Sequence, residues 1–167
     1  SVLRKQAQVQ ARTAVQGGPA AVNNGGKVTT YRKSESDDPY VNVGRNDPCP
    51  CGSGNTYQTS CEPYLSGKLN APIPEQLMRS RYTAFCKGNI DYLIATHHPS
   101  KRQPNDRQIL AQTIAETEWQ GLRVLNSTKA DGTTNIGTVE FVAFYRSRGV
   151  LGQLHERSKF LKQNGRW

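Results

Sequence analysis

Residues 135–149 read "NIGTVEFVAFYRSRG", and their period is two. Val139, Phe141, Ala143 and Tyr145 fall on one face of an extended chain, Val142 and Phe144 on the other, because side chains alternate across a strand. Turn signals stand on both sides, Asp131-Gly132 before and Gly149 after, so the strand should pair antiparallel with both neighbours. The preceding stretch, "WQGLRVLNST" from Trp119, alternates in the same way. The following one, "VLGQLHERSKFLKQNGRW" from Val150, predicts a third strand. Its Asn164-Gly165 pair is a hairpin signal, and Arg166-Trp167 would open a fourth strand.

Working backwards from Trp119, the period changes to that of a helix. "NDRQILAQTIAETE", residues 105–118, predicts one capped by Asn105 or Asp106, with Ile109, Leu110, Thr113 and Ile114 inward. "NIDYLIATHHPS", residues 89–100, predicts a shorter one, capped by Asn89 and ended by Pro99, with Leu93, Ile94 and His97 on one face. Before it, Pro74 suits a first helical turn. Leu77, Met78, Tyr82 and Phe85 then recur at helical spacing, and Gly88 is placed to stop the helix. Helices followed by an antiparallel meander give an α+β fold, with the helices packed on one face of a curved sheet.

The large apolar residues of the 167-residue chain lie mostly after residue 64, so the core belongs there. Residues 1–16 read as the end of a helix, rich in Ala, Gln, Val and Arg. Residues 17–43 are dominated by Gly, Asn, Ser and Asp and predict a flexible linker, since such a segment buries too little surface to offset its backbone entropy. The first residue is Ser1, not methionine, and Trp167 ends a run that still reads as structured, so both ends are expected to be cut from something longer. No run approaches the roughly 20 apolar residues of a membrane span, and no charged-then-apolar leader is visible. The net charge of +9 favours acidic partners in general, nucleic acid among them, without choosing between them.

Between linker and core lies "GRNDPCPCGSGNTYQTSCEPY", residues 44–64, with three of the four cysteines: Cys49, Cys51 and Cys61. Thiolates are soft donors that suit zinc or iron. Cysteines one residue apart reach one ion only if the backbone curls tightly, which Gly52 and Gly54 permit. N–H groups of that turn would point at the sulfurs and spread their charge. Close spacing in a chain without a leader favours a metal over a disulfide, in a reducing, cytoplasmic setting. The fourth cysteine, Cys86, falls on the first predicted helix, where a free thiol behaves as a small buried hydrophobe.

The stretch resembles the metal-binding motif that ends the SecA preprotein-translocase ATPase, a C-P-C-G-S-G run followed by Tyr and a final ligand pair. Cys49, Pro50, Cys51, Gly52, Ser53, Gly54 and Tyr57 match, and Cys61 falls on the last ligand position. Ser60 stands where that family has its third cysteine, and Asn55-Thr56 replace its lysine pair. The resemblance therefore implies a ligand set of Cys49, Cys51, Cys61 and Ser60, with zinc or iron held less tightly than by four strong ligands. Glu62, a histidine, Cys86 or water could stand in as the fourth donor. Residues 1–48 resemble the SecA tail, and no phosphate-cradling G-x-x-x-x-G-K-[ST] loop occurs in the sequence.

Residues 49–167 are similar to the YchJ family, in which the same knuckle precedes a domain similar to nuclear transport factor 2. The matching runs include "CEPYLSGKLNAPIPEQLMRSRYTAF", "IGTVEFVAFY" and "LHERSKFLKQNGRW". This implies a cone of three helices wrapped by a curved sheet over residues 65–167, with residues 44–64 as the knuckle. Arg79, Arg81, His97, Trp119 and Glu156 would line a pocket in such a cone. Glu156 falls on the face of its strand shared with Leu154, Ser158 and Phe160, where Arg79 or Arg81 could supply its cation. The preferred reading is a non-enzymatic adaptor, docking through residues 44–64 on a protein such as the SecB chaperone or on the ribosome. Small-ligand binding or catalysis in the cone pocket is the alternative, and the C-terminal part of a SecA-related subunit a further one.

Overall fold

The computed structural model describes residue 40, residues 42–128 and residues 132–167. The helical tail expected over 1–16, nearly all of the linker expected over 17–43 and the start of the Asp131-Gly132 turn lie outside them. The described elements run as a short helix α1 (Glu62–Leu65), then α2 (Pro74–Lys87), α3 (Ile90–Ala95) and α4 (Asp106–Glu116), then strands β1 (Thr117–Ser127), β2 (Ile136–Ser147) and β3 (Val150–Leu161). The strands form one antiparallel sheet in the order β1-β2-β3.

Pro74 occupies the first turn of α2, and Gly88 ends it in the left-handed conformation, φ 72°. Asn89 caps α3 by accepting from the Tyr92 N–H at 3.1 Å. The helix predicted to reach Glu118 stops at Glu116, and Thr117 and Glu118 already belong to β1. Both are buried in register with Ser147 and Arg146 of β2. The pairing of their backbone groups with β2 outweighs the local helical preference of an Ala-Glu-Thr-Glu stretch.

The β2–β3 hairpin turns on Arg148 and Gly149, φ 50° and 80°, a pair of positive angles that follows the twist of the flanking strands. Asn164-Gly165 makes a second such turn, φ 52° and 77°. It joins Gln163 to Arg166 by an isolated bridge instead of starting a full fourth strand. The register of β1 against β2 slips at Trp119/Gly121 and at Val124/Asn126, and such bulges bend a sheet. Its concave face holds Val139, Phe141, Ala143 and Leu154, packed on Met78, Tyr82 and Phe85. Trp119 fills the centre, with the rings of Tyr82, Phe85 and Tyr145 edge-on around it at 5.7–5.9 Å.

Helix α2 is the hub. Ten of its fourteen residues are buried, Ser80, Arg81 and Thr83 among them, which a single apolar stripe cannot explain. One side lies on the sheet, and the other is covered by residues 43–61. The described end of the linker joins this packing: the Tyr40 ring stands edge-on to Tyr82 and its hydroxyl donates to the Gln120 carbonyl at 3.2 Å.

Candidate metal centre

The loop carrying the cysteines closes on itself. Pro48 and Thr56 form an antiparallel bridge, the Cys49 N–H donates to the Asn55 carbonyl at 2.9 Å, and the Gly52 N–H to the Cys49 carbonyl at 3.2 Å. Gly52 has φ 72°, and a Cβ there would come within 3.0 Å of the Leu122 carbonyl on β1. The turn thus lies hard against the sheet. A 3₁₀ turn over Tyr57–Thr59 then delivers Ser60 and Cys61 beside Cys49 and Cys51.

The sulfurs of Cys49, Cys51 and Cys61 all lie within 4.8 Å of one another, and all three residues are buried. Thiolates on one tetrahedral zinc stand about 3.8 Å apart, given Zn–S bonds of about 2.3 Å. The three cysteines therefore fit a single metal ion and can bind one. All four cysteines are free thiols. Hydrogen bonds from Cys49 and Cys61 hold Cys51 well below the ordinary thiol range. The same contacts with Cys49 and Cys51, with burial added, push Cys61 up.

Ser60 brings its hydroxyl to 3.4 Å from the Cys51 sulfur and 3.8 Å from the Cys61 sulfur. The Ser53 hydroxyl lies 3.0 Å behind it. Other expected fourth donors are engaged elsewhere. Glu62 takes the Arg45 guanidinium at 2.8 and 3.0 Å, and Cys86 is buried in the main core. The expected N–H groups of the glycine turn are not the donors to sulfur among the described residues. Gly52 spends its N–H on a carbonyl, and hydroxyls stand beside the sulfurs instead.

One of those hydroxyls, Thr83 on α2, has no counterpart in the motif. It donates to the Cys61 sulfur at 3.3 Å and stands 3.7 Å from that of Cys49. Arg79, one turn earlier, donates to the Cys51 carbonyl at 2.6 Å. Lys87, one turn later, donates to the Val43 carbonyl at 2.8 Å and stands over the Tyr57 ring, 4.7 Å from its centroid. Residues four apart share a helix face, so Arg79, Thr83 and Lys87 form one polar stripe on which the knuckle sits. The sequence holds that signal in its i, i+4, i+8 spacing.

The five pocket residues do not converge. Arg79 faces the knuckle. Arg81 donates to the Leu93 carbonyl near the C-terminal end of α3 at 2.8 Å, and to Thr96. Glu156 lies opposite Phe141 on the inner side of β3. Trp119 is packed among rings. Arg81 and His97 meet Asp106 and apolar residues around a cavity of about 20 Å³, room for about one water. His97 Nε2 stands 3.1 Å from the Lys101 carbonyl, and His98 Nδ1 accepts from the Ser100 N–H at 3.2 Å. His155 is on the outer face, 3.0 Å from Glu140.

Residues 73–167 match the family described as YchJ, middle NTF2-like domain, and residues 45–59 match the SEC-C motif. A solved SEC-C motif containing protein from Rhodopseudomonas palustris is 41% identical over 71% of this chain and 91% of its own, with a TM-score of 0.66. A SEC-C motif containing protein from Psychrobacter arcticus is 31% identical over 68% of this chain and 71% of its own, with a TM-score of 0.60.

Proposed function

The chain belongs to the YchJ family, and from that premise we propose that it is a non-enzymatic, metal-binding adaptor. Its knuckle takes zinc, or iron, through Cys49, Cys51 and Cys61, with Ser60 as a weak fourth donor. It docks in the cytoplasm on a protein partner of the translocation or ribosomal machinery, such as the SecB chaperone or the ribosome itself. The observation that carries the reading is the convergence of three buried sulfurs from one closed loop. The SEC-C motif supports it, and the net charge of +9 suits acidic partners, nucleic acid included. Among the described residues no helix is long and apolar enough to cross a membrane. The aromatic packing around Trp119 leaves the adaptor reading ahead of a ligand held at the centre of the cone.

The docking surface in this reading includes the knuckle and its exposed Arg45. Binding should therefore depend on metal and weaken with salt, as exposed charges are screened. Pull-downs of purified SecB and of ribosomes with the full chain, run with and without a chelator, test it. Recovery should fall in chelator and again at high salt. Equal recovery of both baits in every condition, or recovery of neither, rejects the adaptor role.

A further inference from the structure

The knuckle is not closed on all sides. Ser60 and Cys61 form part of the wall of a surface groove of about 240 Å³, lined also by Tyr64 of α1 and by Glu75, Gln76 and Arg79 of α2. Three features of this groove point to a ligand. Ser60 offers a neutral hydroxyl where the other donors are thiolates, and a soft cation holds such an oxygen weakly and exchanges it readily. Arg79, anchored on the Cys51 carbonyl at 2.6 Å, brings a guanidinium to the same wall; Glu75 stands 3.8 Å from it. Its remaining N–H groups suit a carboxylate. The groove is also mostly polar, unlike the small cavity beneath His97, and its size suits a molecule of several heavy atoms.

We propose that the groove is a ligand subsite for a small thiol bearing an acidic group, which replaces the Ser60 hydroxyl on the bound metal. This rests on the reading that the three cysteines hold a metal. The exchange balances without an oxidant. The thiol loses its proton to solvent, its sulfur becomes the fourth donor, and Ser60 leaves as a neutral hydroxyl. Arg79 receives the ligand's carboxylate, and Ser53, 3.0 Å from Ser60, gives the freed hydroxyl a partner.

The test uses the full chain reconstituted with Co²⁺, whose ligand-field absorption reports its donor set. Titration with 3-mercaptopropionate should shift the bands saturably while cobalt stays at one per chain after gel filtration. Arg79→Met, compared at saturating cobalt because Arg79 also holds the Cys51 carbonyl, should lose roughly five- to tenfold more affinity for 3-mercaptopropionate than for uncharged 2-mercaptoethanol, as expected for loss of a charge-assisted contact. Ser60→Cys should bind cobalt with the four-thiolate spectrum already present and show no response to either thiol. One bound cobalt with a wild-type spectrum indifferent to thiol, or a spectral change that tracks cobalt loss, overturns the subsite and leaves the metal reading standing. Failure of wild type to take up cobalt overturns both. If Ser60→Cys fails to fold, the wild-type titration and Arg79→Met decide alone.

Discussion

His97 is 7% exposed and shares its small cavity with Arg81 and Asp106. Burial lowers its pKa from 6.5 to about 4, because the low-dielectric surroundings disfavour the imidazolium. The unfolded chain takes a proton at this position near pH 6.5, and the folded chain resists until about pH 4. Between those values the unfolded state holds more protons, so stability rises with pH there and is lost as pH falls. In urea denaturation between pH 4 and 6.5, His97→Asn should flatten the rise that wild type shows. An identical slope in both proteins would place the acid sensitivity elsewhere. Arg81 also feels burial, which lowers its pKa to about 10, yet it remains charged at neutral pH. Its bond to the Leu93 carbonyl places that charge at the end of α3 where a cation is favoured. Neither residue needs a substrate to explain its position.

Helix α2 shows what a sequence reveals at the level of elements and what it does not. Leu77, Met78, Tyr82 and Phe85 announce its core side, and Pro74 and Gly88 its ends, because these are local features of one helix. The alternation of Val139, Phe141 and Ala143 and the positive-φ turn at Asn164-Gly165 are legible for the same reason. The boundary at Thr117 is not, since it is set by pairing with Ser147, thirty residues on. Nor is the convergence of Arg79 and Thr83 on the knuckle. In the sequence Arg79 reads as a residue of the cone pocket and Thr83 as one more polar position of the helix, and only tertiary packing buries Thr83 under the cysteines. The three cysteines were legible as a cluster from spacing, whereas the hydroxyl from α2 was not, because it comes 22 positions after Cys61. Groups that hold a metal's ligands in place typically matter by about 10- to 100-fold in affinity. Thr83→Val keeps the shape and removes the donor. Metal affinity, measured by competition with a chromogenic chelator, should drop by roughly tenfold, with a stability loss of about 1 kcal/mol. Unchanged affinity would reduce Thr83 to a packing residue.

At the scale of the whole molecule, the knuckle and the helix–sheet body share one surface. Gly52 rests on the Leu122 carbonyl, and Arg79, Thr83 and Lys87 bind the knuckle from α2, whose other side carries Tyr82 and Phe85 against Trp119. An ion that binds the folded knuckle should therefore stabilise the entire body, since anything bound to the folded state alone adds RT ln(1 + [L]/Kd). At a free metal concentration of 100 Kd that is about 2.7 kcal/mol. For a domain of this size such a gain moves the melting midpoint by roughly 5–10 °C. Trp119 sits in the core and not at the knuckle, which makes it an independent witness. In a Trp167→Phe background, its fluorescence should report one thermal transition with metal and one without, the chelated midpoint lower by that amount. Release of metal, followed by a dye, should coincide with the Trp119 transition. Two separate transitions, or a Trp119 midpoint indifferent to chelator, would mean that knuckle and body fold independently despite the hydrogen bonds between them.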